Sequence, residues 1–308
     1  MKKFVLLAAL GAVLLAATAT AGVRAFSGTI TADGSSTVGP YAIAAAEGFQ
    51  AKNKGARVTV GISGTGGGFE RFCRDEIDLA NASRPMKNSE AIKCRDAGVK
   101  WVAFTVANDG LSVVVNKANT WADCLTTAEL KATWNTGSKV KSWKDIRSSF
   151  PDVPLKLFGP GTDSGTFDFF TEKINGKAKA SRSDYLATED DNIIVQGVTG
   201  ERGGMGYFGF SYYEENAANL KLIKVDSGSG CIAPSVKTVQ AGTYKPLSRP
   251  LFIYAKRTAF KRPVVAAYIG YIFNNEKIVA KKSGFIALTD RQLKKARYQY
   301  RVALKQNG

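Results

Sequence analysis

Three times along this 308-residue chain, a short run of alternating apolar residues meets a turn of glycine, serine and threonine and then the start of a helix. In residues 28–40, GTITADGSSTVGP, the strand-like Thr29-Ile30-Thr31-Ala32 leads into Asp33-Gly34-Ser35-Ser36-Thr37. Pro40 then suits the first turn of the alanine-rich helix that follows. In residues 57–73, RVTVGISGTGGGFERFC, Val58, Val60 and Ile62 alternate, residues 63–68 turn, and Phe69, Phe72 and Cys73 recur at i, i+3 and i+4. In residues 155–174, Leu155, Leu157 and Phe158 precede GPGTDSGT, and Phe167, Phe170 and Ile174 follow at helical spacing. Strand, turn and helix repeated in this way point to an α/β chain.

One such turn is ordinarily a helix cap. The first N–H groups of a helix lack internal partners, and the helix dipole places partial positive charge there. Glycine lets the backbone approach a ligand, while serine and threonine add rotatable hydroxyls. Three such turns converging would form a cage of neutral donors around one small anion.

Composition removes the competing chemistries. The chain has no histidine, so Ser-His-Asp and Cys-His catalysis are excluded. No GxxxxGK[ST] and no GxSxG occurs. GMGYFG at 204–209 matches GxGxxG in form only and is expected to be a turn, since SYYEEN follows it in place of a helix with an acidic ribose partner.

Residues 1–21 have the form of a secretory signal peptide: Lys2 and Lys3, an apolar run too short for a membrane span, and Ala19-Thr20-Ala21 as a small-x-small cleavage site, with Val23-Arg24-Ala25 as a second candidate. Export makes the four cysteines a disulfide framework. Cys73 and Cys94 are close in sequence, leaving Cys124 to pair with Cys231; no CxxC supports a metal site. Cleavage after Ala21 takes two lysines from the 43 basic residues, leaving 41 against 26 acidic ones, a net +15. Such a surface attracts anions in general, but no recognition motif or basic-aromatic interleaving points to nucleic acid. The basic stretch 277–305 is expected to be a solvated helix face.

The segments ADGSSTVGP, GISGTGGGFERFC, NASRPMK, NDGLSVVVN, LFGPGTDSGTFDFFTE, EDDNIIVQGV, GYFGFSYYEEN and KPLSRPLFIY occur in the order found in the periplasmic phosphate-binding proteins of the Pst ABC transporter. The mature chain resembles that PstS/SphX-like family over nearly its whole length. The resemblance implies a type II periplasmic binding protein, with two α/β lobes joined by two crossovers and the anion in the cleft. It places lobe one at 26–107 plus 249–308 and lobe two at 108–248, with crossings in GLSVVVNK and SRPLFIYAK. It further implies a periplasmic monomer without cofactor or metal, whose partners are inorganic phosphate and a membrane permease. Receptors for arsenate, phosphonate or sulfate, or an extracellular phosphatase, are the alternatives.

Carried over residue by residue, Ser36 matches a hydroxyl donor and Thr37 a backbone N–H donor. Thr65 is the choice in the second turn, with Ser63 as the alternative because the glycine spacing leaves the register open. Ser164, Gly165 and Thr166 match the family's SGT segment, and Asp163 is expected to be a helix cap. The chain departs from the best-known branch at two points. Pro160-Gly161 stands where that branch has a phosphate-clamping arginine, and Ala82-Ser83-Arg84-Pro85 stands where it has an aspartate. Arg84 and Asp109 are therefore expected to supply the charged pair. A carboxylate suits such a site because it accepts a charge-assisted hydrogen bond from the proton of hydrogen phosphate, whereas sulfate offers none and meets it as a like charge.

Overall fold

The computed structural model describes residues 25–307 except Asp163 and Glu189. The leader expected over 1–21 and the cap expected at Asp163 lie outside the described residues. No helix among the described residues is long and apolar enough to cross a membrane.

The strands are β1 (Gly28–Gly34), β2 (Ala56–Val60), β3 (Leu79–Ala82), β4 (Trp101–Asn116), β5 (Cys124–Thr126), β6 (Lys156–Pro160), β7 (Leu186–Thr188), β8 (Gly204–Gly209), β9 (Leu220–Asp226), β10 (Cys231–Ile232) and β11 (Ser248–Lys256). Their main order is β2-β1-β3-β11-β4-β8-β6-β7, with β9 alongside β4. β1 is parallel to both β2 and β3, which places the turns following all three at the same edge. α1 (Gly39–Lys52) and α2 (Gly64–Cys73) leave the first two turns, and Pro40 sits in the first turn of α1.

β4 joins the two halves. Its sequence is apolar or small almost throughout and is buried from Val106 to Asn116, as suits a strand covered on both faces. It pairs antiparallel with β11 as far as Gly110 and with β8 from Leu111 onward. The Leu111 N–H donates to Leu247 O at 2.9 Å, so the chain's second passage lies beside its first.

Each half has its own core. Ile30, Tyr41, Phe49, Phe104 and Tyr268 centre one; Trp134, Trp143, Phe170 and Tyr207 centre the other. The predicted helical faces are buried: Phe69, Phe72 and Cys73 on α2, and Phe167, Phe170 and Ile174 after the third turn.

GMGYFG differs from expectation. It is β8, an inner strand of the second half, and a Cβ at Gly206 would lie 2.8 Å from Phe158 O. Gly204 and Gly206 serve strand packing. The glycine-rich second turn is partly explained in the same way, since a Cβ at Gly68 would lie 2.5 Å from Gly34 Cα.

Both expected disulfides are formed. Cys73–Cys94 ties α2 to α3 (Asn88–Asp96), and Cys124–Cys231 ties β5 to β10. They close loops of 21 and 107 residues. If restriction of the unfolded chain dominates, replacing the second pair with serines should cost about 1.4 kcal/mol more than replacing the first. Urea unfolding of the two double variants measures this, and an equal loss would show that native-state contacts dominate instead.

Candidate functional site

The edge where the turns converge also carries the charged groups. Antiparallel pairing of β11 with β4 sets Arg249 directly opposite Asp109. Arg249 Nε donates to Asp109 Oδ2 at 3.1 Å, and its Nη2 donates to Thr37 Oγ1 at 2.8 Å. The Thr37 hydroxyl in turn donates to Gly165 O at 3.1 Å. The guanidinium lies 3.5 Å over the Phe169 ring. One cation thus gathers the crossover strands, the first turn and the helix Gly165–Phe170 of the other half.

Both charges lie largely out of water, Asp109 being only 4% exposed and the Arg249 side chain 11%. Burial pushes the Asp109 carboxyl up, against the pull of Arg249. Burial pulls the guanidinium down, against the hold of Asp109, yet an arginine stays charged. The pair is therefore an ion pair in low dielectric, where each member depends strongly on the other.

The remaining residues line two adjoining spaces. A cleft of about 580 Å³ is lined by Ser36, Thr37, Asp109, Ser164, Gly165 and Thr166. A smaller cavity of about 160 Å³ is lined by Ser36, Thr37, Thr65 and Arg84, together with Arg249 and Asp168. Thr37 borders both. All eight residues expected from the sequence therefore lie at the junction of the two halves.

Local structure sets their hydrogen bonds. Ser164 caps its helix, its Oγ accepting from Thr166 N at 3.1 Å and Phe167 N at 3.4 Å. Those bonds use the oxygen's lone pairs and leave the hydroxyl hydrogen to donate elsewhere. Thr65 Oγ1 lies 3.2 Å from Ser83 Oγ and accepts from Ser83 N, which fixes it in the small cavity. Ser63, the alternative in that turn, is exposed and lines neither space.

Arg84 is placed differently from the pairing expected with Asp109. It makes a two-pronged contact with Glu90, Nη2 to Oε1 at 2.7 Å and Nη1 to Oε2 at 2.8 Å, with Phe69 beneath it. Glu90 also accepts from Lys87 N at the start of α3. Arg84 reaches the small cavity as one member of a local ion pair six residues apart, and the cation beside Asp109 is Arg249.

Sequence reasoning missed Arg249 and Asp168. Arg249 lies in KPLSRPLFIY, where a cation set into an apolar strand signals a buried partner. Asp168 sits among three phenylalanines in GTFDFF. Its Oδ1 is buried without a hydrogen-bond partner, and burial raises its carboxyl, opposed by Lys179 and Arg249. Among the described residues no group of three cysteine or carboxylate side chains is arranged to hold a metal.

Comparison with known proteins agrees with this architecture. Residues 19–276 match a PBP superfamily domain, PBP-like 2. Protein SphX of Synechococcus elongatus is 48% identical over 275 residues, 88% of this chain and 81% of that protein. Phosphate-binding protein PstS of Staphylococcus saprophyticus is 40% identical over 288 residues, 91% of this chain and 88% of that one. A crystal structure described as a possible phosphate binding protein from Planctomyces limnophilus superposes with a TM-score of 0.87 at 47% identity, covering 91% of this chain and all of that one.

Proposed function

We propose that this chain, which belongs to the PBP superfamily and within it to the family of the SphX and PstS phosphate-binding proteins, binds inorganic phosphate and delivers it to the permease of an ABC transporter. The buried Arg249–Asp109–Thr37 node between two hydroxyl-lined spaces carries this reading. A guanidinium supplies the attraction for an oxyanion, and Ser36, Thr37, Thr65, Ser164, Gly165 and Thr166 supply neutral donors around it. Arg84, balanced by Glu90, adds positive potential from one side. The lobes divide at 107/108 and 248/249, and the chain works as a periplasmic monomer that carries the ion without transforming it. The lack of histidine supports carriage over hydrolysis, since the usual proton-transfer side chain is missing.

Selection against sulfate is assigned to Asp109, whose carboxylate accepts a hydrogen bond from the O–H of hydrogen phosphate. Calorimetric titration with phosphate in excess sulfate tests the whole reading: binding should persist and the phosphate should be recovered unchanged. Asp109→Asn should weaken phosphate at least tenfold, by the loss of a buried charged pairing. Sulfate should be penalised less, because an amide can donate to a bare oxygen. Equal losses for both anions would make Asp109 a scaffold for Arg249 and move the discriminating role to Asp168.

A further inference from the structure

The chain's positive charge is unevenly distributed. Residues 249–308 carry 14 Lys and Arg against 2 Asp and Glu, whereas residues 108–248 carry 16 of each. The excess therefore lies in the C-terminal segment. The phosphate site uses only Arg249 of those fourteen.

Much of this excess lies on the last helix, Asp290–Asn307. Its apolar side is already occupied: Ala296 and Ala303 are buried, Leu293 and Leu304 pack on the core, and Tyr300 Oη donates to Ala266 O at 2.7 Å. The opposite side exposes Arg291, Lys294, Lys295, Tyr298, Arg301 and Lys305, residues three and four apart on one face. Tyr298 is 62% exposed. Among the described residues no carboxylate pairs with any of these five cations, although Lys282, Arg262 and Lys256 nearby all have acidic partners. The 18-residue helix makes a straight row about 27 Å long. Past its end the row continues around a shallow hollow bordered by Arg257, Lys100 and Arg95.

We infer that this face docks the protein on an anionic phospholipid bilayer. A row of unpaired cations along an open helix face, with only a shallow hollow beyond its end, selects charge density over shape, which suits a plane of headgroups better than a folded acidic partner. An exposed tyrosine within the row suits the level of the headgroups, where amphipathic rings settle. The apolar side of the helix is committed to the core, so docking is electrostatic and reversible, without insertion. No residue of this face lines the cleft or the small cavity, so a docked protein keeps its anion site open.

The test uses the full mature chain and sedimentation with vesicles of phosphatidylglycerol and phosphatidylcholine. Binding to mixed vesicles at low salt is expected, with little to phosphatidylcholine alone and strong weakening as salt shortens the screening length. Each basic residue near such a surface is worth roughly fivefold in partitioning, so K294E/K295E/R301E should lose at least about 100-fold. The variant K117E/K144E/K237E makes the same change in net charge at exposed positions elsewhere, and should stay within about threefold of the parent. Phosphate titration of the first variant should be unchanged, which also shows that it is folded and keeps this question separate from that of the anion site. The inference is overturned by no binding to anionic vesicles at low salt, or by equal losses in the two triple variants. Retention on poly-aspartate without vesicle binding would also overturn it, assigning the face to an acidic protein.

Discussion

Arg249→Ala is expected to lower phosphate affinity by two orders of magnitude or more and to destabilise the protein at neutral pH. The arginine is the cation that touches Asp109, and through Thr37 it also holds the first turn against the other half. Without it a carboxylate only 4% exposed has no counter-charge, a situation that costs about 3–5 kcal/mol when one partner of a buried pair is removed. The sign with pH follows from burial, which raises the folded-state carboxyl above its unfolded value. The folded variant then holds the proton more tightly than the unfolded chain, so the penalty is full above the folded pKa and shrinks as pH falls through it. Stability and binding separate in the double variant Arg249→Met with Asp109→Leu. Replacing both charges by apolar groups removes the unpaired carboxylate, so urea unfolding should recover most of the lost stability while phosphate binding stays lost. Wild-type phosphate affinity in the double variant would show that the ion pair is structural only.

Why Arg249 escaped the sequence reading is a matter of distance along the chain. Its partner Asp109 lies 140 residues away, and only the antiparallel register of β11 on β4 sets them opposite each other. Arg84 was legible as a cation near the site because it ends the apolar run of β3. Its commitment to Glu90 was local enough to be seen, six residues on and at the third position of α3, where a glutamate caps a helix. The strand–turn–helix repeats were legible because periodicity changes from two to 3.6 at each turn. The cysteine pairing followed from spacing once export was assumed. The glycines were read less completely. Gly68 and Gly206 meet the same shortage of space against neighbouring backbone that a ligand-contacting glycine would, and sequence alone does not distinguish helix–strand packing from anion approach.

Gly165 is the glycine where those two readings separate, and Gly165→Ala should leave a folded protein that cannot close. A Cβ at this position would lie 2.6 Å from both Thr37 Cα and Thr37 Oγ1, well inside ordinary contact. Gly165 is not among the glycines with positive φ, and it opens a helix, so alanine suits its backbone locally and improves helix propensity by up to about 1 kcal/mol. The conflict is therefore between the two halves and not within either. Because Thr37 and Gly165 stand on opposite sides of the cleft, the cheapest relief is to open the hinge by the width of a methyl group. Opening separates the donors of the first turn from those of the third, and only a closed cleft bonds one anion with both sets. Phosphate affinity should fall by at least about 100-fold, the size of effect expected when the binding-competent state becomes rare. Urea stability without ligand should change by less than about 1 kcal/mol. Small-angle scattering should show the parent contracting on phosphate addition and the variant not contracting. Gly200→Ala is the control, since a Cβ there meets nothing within 4 Å. If Gly165→Ala bound phosphate as tightly as the parent and contracted with it, closure would not pass through the Thr37–Gly165 contact, and the anion would have to be held on one side of the cleft alone.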